Sequence, residues 1–384
     1  MILSLLIGAC IISAVVWVTM LLMPARWGMT EQWEITEAST TPVSRWPILS
    51  VIVPARNEAE SLPVTLPSWL NQEYPESEII LVDDESDDNT SRCAMGIAKG
   101  YNRVIRVIKG APPPQGWAGK LWALEQGVKV SLGEWLLFTD ADIHHKQGLW
   151  QKIVTKALTE QREMVSMMAL LDTAGVWSRL LIPAFVYFFH LLYPFKRVND
   201  RHAKLSAAAG GCILISRCAL NKIGGIASYR NAWIDDLALA RRVKSMNLSI
   251  SLSLTKSVVS IRSYQHLSDI WHMVARSAFA QLKYSWLTLA GTVLGLSILF
   301  IAPVIGICVS IITAKDGYSV ALPSLIAFLS MSATYAPILK FYRLGVWRAI
   351  TLPCCGILYL AMTMSSAYNH IAGRRSWRGV RTHE

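Results

Sequence analysis

The feature that most constrains this chain is a set of long apolar stretches, free of Asp, Glu, Lys and Arg, near its two ends. They cover residues 2–23, 286–314, 320–339 and 349–372. An α-helix of about 20 apolar residues crosses a hydrocarbon core of about 30 Å. We therefore predict a transmembrane anchor in residues 1–25 and a membrane region with about three apolar segments in residues 284–373.

The composition agrees with a chain that lies partly in lipid, since 53% of the residues are hydrophobic and only 16% are charged. In soluble domains about a quarter of the residues are charged. The net charge of +11 comes without a dense Lys/Arg run carrying interleaved aromatic residues, so we expect no nucleic-acid partner. The basic tail, residues 374–384, follows an apolar stretch, which is typical of a segment at an anionic membrane surface.

The basic residues also indicate the orientation of the membrane segments. No Lys or Arg precedes Arg26, which disfavours a cleavable signal peptide and places Arg26 in the cytosol. Simple alternation over four spans then puts the Arg-rich tail outside, which the positive-inside rule disfavours. One apolar segment is therefore expected to be re-entrant or interfacial, and the sequence leaves the side of the tail open.

Between the apolar ends, residues 46–283 have the pattern of a cytosolic α/β domain. Short β-branched runs alternate with helical patterns and turn residues. Strands are predicted at residues 48–53, 78–83, 104–108 and 135–139. Parallel strands joined by crossover helices bind ligands at their carboxyl ends, so a site is expected at that edge of the sheet.

One segment inside this domain, residues 176–195, is rich in aromatic residues but interrupted by Arg179 and Pro183. A helix that crossed the bilayer there would put the acidic motifs before and after it on opposite sides. We predict that this segment lies in the membrane interface. Packing in a protein core is the alternative.

Candidate contacts for a nucleotide follow the first two predicted strands. Those at the end of the first strand are Pro54, Ala55, Arg56 and Glu58. Asp84 follows the second strand, and its carboxylate is suited to accept hydrogen bonds from the N–H and hydroxyl groups of a nucleotide. The next acidic run, residues 87–89, is predicted to form the turn and cap of a helix that starts near Thr90.

Asp140 and Asp142 end the very apolar fourth strand. Alternate residues on a strand point the same way, so both carboxylates could hold Mg²⁺ or Mn²⁺ and bridge it to phosphate oxygens. Such a cation would act as a Lewis acid for a departing nucleoside diphosphate. His144 and His145 could add imidazole ligands, but we expect them to be surface residues.

Three further residues complete the predicted site. Lys120 follows a glycine near the start of a helix, where it could meet phosphate, although the spacing of a P-loop is absent. Asp235 and Asp236 precede a basic amphipathic helix. One of the pair is predicted to be the general base that takes a hydroxyl proton during inverting glycosyl transfer, and the other to cap the helix.

Taken in order, these motifs resemble the family 2 glycosyltransferases of GT-A fold, over residues 48–254. The motifs are residues 54–58, 83–90, 119–124, 140–142 and 224–236. The resemblance implies an α/β Rossmann-like nucleotide-sugar domain with transmembrane helices at both ends. It implies that Asp84 contacts the nucleobase, that Asp140 and Asp142 serve ribose and metal, and that Asp236 is the base. Asp235 stands where the family often has Glu.

Residues 116–120 and 183–189, with the terminal spans, resemble most closely the bacterial hopene-associated glycosyltransferases. This implies an enzyme of the bacterial inner membrane that transfers a sugar from a nucleotide-sugar, expected to be a UDP-sugar, to a hopanoid or related membrane lipid. Processive family members carry a Gln-x-x-Arg-Trp motif that residues 275–281 lack. Single-sugar transfer is therefore favoured, with Arg276 as a further candidate contact of the donor diphosphate.

Two other functions remain open at this stage. One is a processive polysaccharide synthase, and the other is a non-catalytic membrane scaffold that retains a nucleotide-sugar fold. A transporter is disfavoured because the predicted spans contain no Lys, Arg, Asp or Glu. The sequence leaves open which sugar and acceptor are used, whether Mg²⁺ or Mn²⁺ is preferred, and the oligomeric state.

Overall fold

The computed structural model describes residues 2–35, 45–313 and 318–373, and the backbone of residues 376–377 and 380–381. The chain forms two compact units. The first comprises Met1–Thr30, Asp172–Pro194 and Ser263–Glu384, and the second comprises Glu31–Leu171 and Phe195–Arg262. Apart from those two backbone segments, the predicted basic tail lies outside the described residues.

Helices and strands are numbered along the whole chain. The helices are α1 (Ile2–Leu21), α2 (Leu62–Leu70), α3 (Thr90–Ala98), α4 (Gly119–Val130), α5 (Leu149–Thr159), α6 (Val176–Leu192), α7 (Phe195–Asn199), α8 (Arg217–Lys222), α9 (Asp235–Ser245), α10 (Leu267–Gln281), α11 (Trp286–Leu296), α12 (Ala302–Ile312), α13 (Tyr318–Phe341) and α14 (Leu352–Ile371). The strands are β1 (Leu49–Ala55), β2 (Ser77–Asp83), β3 (Ile105–Lys109), β4 (Trp135–Thr139), β5 (Ile143–His145), β6 (Met164–Leu170), β7 (Cys212–Ser216), β8 (Ile250–Ser260), β9 (Ser376–Trp377) and β10 (Val380–Arg381).

The second unit is built on an eight-stranded mixed sheet in the order β3-β2-β1-β4-β7-β6-β8-β5. The first four strands are parallel to one another, and β7 is antiparallel to both of its neighbours. The four strands predicted from the sequence are therefore confirmed, each within two residues at its ends. Their parallel pairing brings their carboxyl ends to one edge of the sheet.

Helices cover both faces of the parallel part of this sheet. On one face, Trp69 of α2 and Trp150 of α5 are fully buried in the main apolar core. On the other face, Ala123 of α4 packs against Ile80 and Val82 of β2. Parallel strands buried on both faces are near-continuous apolar runs, which explains why β1, β2 and β4 were recognisable in the sequence.

In the described part of the first unit, four helical segments are long and apolar enough to cross a membrane. They are Ile2–Leu21, Trp286–Ile312, Tyr318–Phe341 and Val346–Ile371. Each overlaps one of the predicted apolar stretches. The second segment passes through a π-helical stretch, Ser297–Ile301, where the carbonyl of Leu299 accepts hydrogen bonds from Ser13 and Trp17, each at 3.1 Å. Side chains of α1 thus satisfy a backbone group that the irregular helix leaves available.

The aromatic segment after residue 176 forms α6, and this helix belongs to the first unit. Tyr359 donates to the carbonyl of Leu181 at 2.9 Å, and the hydroxyls of Tyr187 and Thr334 are 2.6 Å apart. These contacts lie beside Pro183, which cannot donate a backbone hydrogen bond. One face of α6 is therefore packed in protein, as the alternative to an interfacial segment requires.

The last boundary between the two units along the chain falls between Arg262 and Ser263. Helix α10 therefore belongs to the first unit, whereas the sequence-based prediction extends the catalytic domain to residue 283. The functional domain limits stay a prediction.

Candidate active site

The loops that follow β1 and β2 are joined to each other by hydrogen bonds. The amide of Asp84 donates to the carbonyl of Ala55 at 2.8 Å. Asn57, with a φ of 54°, accepts from the amide of Asp87 at 2.8 Å and donates its own amide to Ser86 at 3.0 Å. The two loops thus form one preorganised structure around Asp84.

Asp84 is a buried carboxylate, with 1% of its surface exposed. Neither of its oxygens has a hydrogen-bond partner among the described residues, and the Arg56 guanidinium lies 3.7 Å from one of them. Burial raises the pKa of Asp84 and outweighs the opposing charge of Arg56. A buried acceptor without a donor costs about 1–3 kcal/mol, so this position is suited to a ligand that brings an N–H group.

Other residues of these loops have structural roles. Asp88 accepts from the amide of Thr90 at 3.1 Å and from that of Ala59 at 2.9 Å, which agrees with the predicted turn. The N-cap residue of α3, Asn89, makes no side-chain cap hydrogen bond. Glu58 is 4% exposed and accepts from the hydroxyl of Ser61 at 2.7 Å, so it anchors the start of α2.

Lys120, at the start of α4, lies between two aspartates from other elements. Its Nζ atom is 2.8 Å from Asp140, after β4, and 3.1 Å from Asp235, at the start of α9. The three side chains keep 21%, 33% and 28% exposure, so a ligand can reach them. Burial would lower the pKa of Lys120, but the two carboxylates outweigh it and hold that pKa above its usual value. Lys120 therefore stays charged at all physiological pH values.

Asp235 and Asp236 are adjacent but have opposite pKa shifts. Burial would raise the pKa of Asp235, but Lys120 outweighs it and holds the pKa below its usual value. Burial, followed by the charge of Asp235, raises the pKa of Asp236 to about 7. The amide of Leu237 donates to Asp236 at 2.7 Å, and the nearby amide of Gly210 also lowers the pKa of Asp236. Asp236 is thus placed to exchange a proton near neutral pH.

One small pocket of the second unit joins five of the eleven predicted site residues. It is lined among others by Pro54, Lys120, Asp140, Asp235 and Asp236. Two lining residues, Gly210 and Tyr229, were not predicted from the sequence. The only sequence signal for Gly210 is the run of small residues at 206–211. Arg276 lies on α10 in the first unit, and its predicted contact with the donor stays a prediction.

The described residues contain no group of three His, Cys, Asp or Glu side chains that could hold a metal ion on their own. Asp142 is half-buried, with the Ser260 hydroxyl 3.4 Å from one carboxylate oxygen. Mg²⁺ is commonly held by one or two carboxylates together with substrate phosphates and water. The Asp140 and Asp142 carboxylates are of the ligand type that such a cation binds together with a bound diphosphate, and their role as metal ligands stays a prediction.

His145 is neither a surface residue nor available to a metal, so both sequence-based expectations for it are wrong. It is 1% exposed, and its ring nitrogens contact Trp150 at 3.0 Å and Thr139 at 3.1 Å. Burial lowers its pKa to about 3, so the ring is neutral. His144 is half-buried, and burial also lowers its pKa.

Comparison with solved structures gives the class of the fold. The mannosyltransferase PcManGT from Pyrobaculum calidifontis, solved in complex with GDP-Man and Mn²⁺, aligns with a TM-score of 0.57 at 16% identity, over 95% of this chain and 99% of that one. The second unit therefore has the mixed α/β sheet of a GT-A fold, as predicted.

Sequence comparison then gives a family likeness. Residues 50–224 match the family model described as "Glycosyl transferase family 2". This part of the chain is therefore similar to family 2 glycosyltransferase domains, which agrees with the enzyme class predicted from the sequence.

Curated relatives agree with this class. The 4,4'-diaponeurosporenoate glycosyltransferase of Staphylococcus aureus (strain MRSA252) is 25% identical over 348 residues, which are 86% of this chain and 87% of the relative. Its namesake in Staphylococcus haemolyticus is 37% identical over 122 residues, or 31% of each chain. The probable glycosyltransferase YdaM of Bacillus subtilis is 27% identical over 235 residues, or 59% of this chain and 53% of that one. This chain thus spans less than two thirds of the length of the last two relatives.

Proposed function

We propose that this protein transfers a single sugar, with inversion, from a nucleotide-sugar donor to a membrane lipid, in a reaction that depends on a divalent cation. The observation that carries the proposal is the meeting of Lys120, Asp140, Asp235 and Asp236 in one pocket. They come from three different elements at the carboxyl edge of the sheet, where α/β folds bind nucleotides.

Asp84 and Arg56 support a donor whose base has a ring N–H beside a carbonyl. The carboxylate would accept from the N–H, and the guanidinium would donate to the carbonyl oxygen. Uracil and guanine have this arrangement, whereas adenine and cytosine have an unprotonated ring nitrogen that a carboxylate repels. We favour a UDP-sugar within this pair, as the family resemblance implies.

Lys120, Asp140 and Asp142 support the handling of the diphosphate. The ammonium of Lys120 stays protonated and would pair with a phosphate oxygen. Asp142 and Asp140 would hold Mn²⁺ or Mg²⁺, and the cation would supply Lewis-acid stabilisation of the leaving nucleoside diphosphate. Because Lys120 now pairs with Asp140 at 2.8 Å, donor binding is expected to redistribute these contacts.

Asp236 supports the acid–base step. An acceptor oxygen would attack the anomeric carbon from the face opposite the diphosphate, and its proton would pass to the Asp236 carboxylate as the carbon–phosphate oxygen bond breaks. A base with a pKa of about 7 is well matched to this task at neutral pH. Asp235, ionised and held by Lys120, would orient the lysine and is the weaker candidate for the base.

The apolar helices support a lipid acceptor and a membrane location. Four segments of the described residues have the length and composition to cross a membrane. The relative that covers 86% of this chain is named "4,4'-diaponeurosporenoate glycosyltransferase". We propose the bacterial inner membrane, a cytosolic catalytic domain, and an isoprenoid lipid acceptor such as a hopanoid.

The test is a transfer assay read by mass spectrometry. The purified protein is incubated with Mn²⁺, a bacterial lipid extract and one nucleotide-sugar at a time, beginning with UDP-sugars and GDP-mannose. We expect one lipid mass to rise by a single sugar. The signal should disappear in Asp236→Asn and after removal of metal by a chelator, and should persist in Asp200→Asn, which changes an exposed carboxylate in the same way.

Other outcomes would select other functions. A ladder of several added sugars would favour a processive synthase. Binding of uridine diphosphate without transfer to any lipid would exclude a lipid acceptor in the extract. Absence of both nucleotide binding and transfer would reject the proposed function and favour a non-catalytic scaffold.

A further inference from the structure

A chain of buried hydrogen bonds runs behind the proposed active site. The indole N–H of Trp150 donates to Nδ1 of His145 at 3.0 Å. Nε2 of His145 lies 3.1 Å from the hydroxyl of Thr139, and that hydroxyl donates to the carbonyl of Gly211 at 3.0 Å. The three side chains are at most 1% exposed, so water does not compete for these bonds.

The chemistry of the groups fixes the direction of every bond in this chain. An indole N–H can only donate, so Nδ1 of His145 must accept and the proton of the neutral ring must sit on Nε2. Nε2 then donates to Thr139, and the Thr139 hydroxyl is free to donate onward to Gly211. A single donor, Trp150, therefore sets the tautomer of His145 and the orientation of the hydroxyl.

The end of the chain lies next to the catalytic groups. Thr139 directly precedes Asp140, whose amide also points to the Gly211 carbonyl at 3.4 Å. Gly210, the neighbour of Gly211, packs against the catalytic carboxylate, since a Cβ atom at Gly210 would lie 3.5 Å from Oδ2 of Asp236. Thr139 and Asp140 both donate to the Gly211 carbonyl, so this end of the glycine pair is fixed beside Asp236.

We infer that Trp150, His145 and Thr139 form a one-way hydrogen-bond chain that positions the glycine pair, and through it the base Asp236. His145 acts here as a neutral, tautomer-fixed positioning residue and touches neither donor nor metal. The inference rests on the proposed function for its kinetic consequences, whereas the tautomer of His145 is independent of any activity.

The first test compares Thr139→Val with Thr139→Ser. Valine keeps the shape of threonine but removes the hydroxyl, whereas serine keeps the hydroxyl. We expect Thr139→Val to lower kcat at least about tenfold, since small misplacements of catalytic groups carry penalties of that order. Thr139→Ser should stay within about threefold of the wild type, and binding of uridine diphosphate should be similar in both variants.

A pH profile separates positioning from a loss of stability. Asp236 is surrounded by Asp235, Lys120 and the amides of Leu237 and Gly210, and the amide of Gly210 stabilises its ionised form. If that amide is no longer aimed at the carboxylate, the acidic limb of the kcat profile should move to higher pH in Thr139→Val and stay in place in Thr139→Ser. Equal kcat values and equal limbs in the two variants would overturn the inference.

A second pair covers the case in which Thr139→Val does not fold. Trp150→Phe removes the donor that sets the direction of the chain. Trp69→Phe is its matched control, because Trp69 is equally buried and donates instead to the carbonyl of Ile143 at 2.9 Å. The same fall in kcat and shift of the acidic limb are expected only in Trp150→Phe, and an equal effect of both would contradict the inference.

Nitrogen NMR of histidine-labelled protein tests the chain without an assay. The signal of His145, identified by its loss in His145→Gln, should be that of the neutral Nε2–H tautomer from pH 5 to pH 8, and should become a tautomer mixture in Trp150→Phe. An Nδ1–H or charged ring in the wild type would refute the chain. A correct tautomer in a protein that transfers no sugar would instead count against the proposed function.

Discussion

At the scale of single residues, the adjacent carboxylates of Asp235 and Asp236 have different roles because they have different neighbours. Lys120 stabilises the charge of Asp235, while burial and the nearby charge of Asp235 favour the protonated form of Asp236. Pairs of titratable groups whose surroundings push their pKa values apart mark acid–base assignments. Under the proposed function this difference favours Asp236 as the base, whereas the sequence motif left the two residues as alternatives.

The first prediction concerns the pH dependence of transfer. With a pKa of about 7, Asp236 is mostly protonated below that pH, so kcat should fall about tenfold per pH unit on the acidic side. Asp235→Asn removes a charge that raises this pKa, so the acidic limb should move to lower pH. The profile is measured at saturating donor and acceptor. An acidic limb that stays at the same pH in Asp235→Asn would show that Asp236 is not the titrating group.

A second prediction concerns stability. An ordinary aspartate in the unfolded chain titrates near pH 3.9, whereas Asp236 in the folded protein titrates near 7. The stability associated with its protonated form is therefore fully present below about pH 4 and is lost as the pH rises through about 7. Asp236→Asn should raise the melting temperature by a few degrees at pH 8, and by less at pH 5.

Thermal unfolding at the two pH values measures this difference. Asp200→Asn serves as the control because it neutralises an exposed carboxylate. An Asp236→Asn variant that is less stable than the wild type at pH 8 would contradict the raised pKa.

A third prediction tests the nucleobase contact. Asp84→Asn keeps the shape of the side chain but replaces an anionic acceptor with an amide. Hydrogen bonds to charged groups contribute about 1.5–3 kcal/mol, so the Kd for uridine diphosphate should rise about tenfold or more, as measured by calorimetry. Asp87→Asn, an exposed position on the same loop, should bind like the wild type. Equal losses in both variants would assign the effect to the loop and not to the contact.

At the scale of elements, close helix packing in the first unit depends on Gly306 of α12. A Cβ atom at Gly306 would clash with Oγ of Ser324, on helix α13, and would lie 2.8 Å from Sγ of Cys10, on helix α1. Small residues let apolar helices approach each other closely in membranes. The position therefore has no room for a larger side chain.

The fourth prediction compares Gly306→Leu with Gly291→Leu, two identical changes in the same apolar segment. Overpacking at Gly306 should cost about 1–3 kcal/mol or more and lower the melting temperature in detergent. A Cβ at Gly291 would meet nothing within 4 Å, and leucine there gains helix propensity, so that variant should be at least as stable as the wild type. Equal melting temperatures would contradict the packing.

Much of this architecture could be predicted from the sequence, because its signals are local. The strands β1, β2 and β4 are apolar runs followed by polar residues, and the four candidate spans are recognised by length and lack of charge. The meeting of Lys120 and Asp140 follows from the rule that parallel strands share one carboxyl edge.

What the sequence could not supply depends on contacts between distant segments. His145 follows a D-x-D motif and has the residue type of a ligand, but its burial against Trp150 and Thr139 comes from the packing of α5 on the sheet. Gly210 packs against Asp236 from a loop 26 positions earlier in the chain. Such contacts leave no periodic pattern, and a glycine has no side chain to indicate them.

At the scale of the whole molecule, the chain passes between its two units four times, at residues 30–31, 171–172, 194–195 and 262–263. The second unit is thus tied covalently at four points to the unit that contains every candidate span of the described residues. Under the proposed function such a connection suits an enzyme whose acceptor is a lipid, because a unit tied to helices that cross a bilayer would stay at its surface.

The fifth prediction follows from this connection and concerns orientation. Cys218 lies on α8 of the second unit and is exposed. If the catalytic unit is cytosolic, a membrane-impermeant maleimide should not label Cys218 in intact spheroplasts and should label it once the membrane is opened. The signal is defined by comparison with Cys218→Ser, which subtracts the other cysteines. Labelling of Cys218 in intact spheroplasts would place the unit outside, where nucleotide-sugars made in the cytosol could not reach it, and the proposed donor would then be wrong.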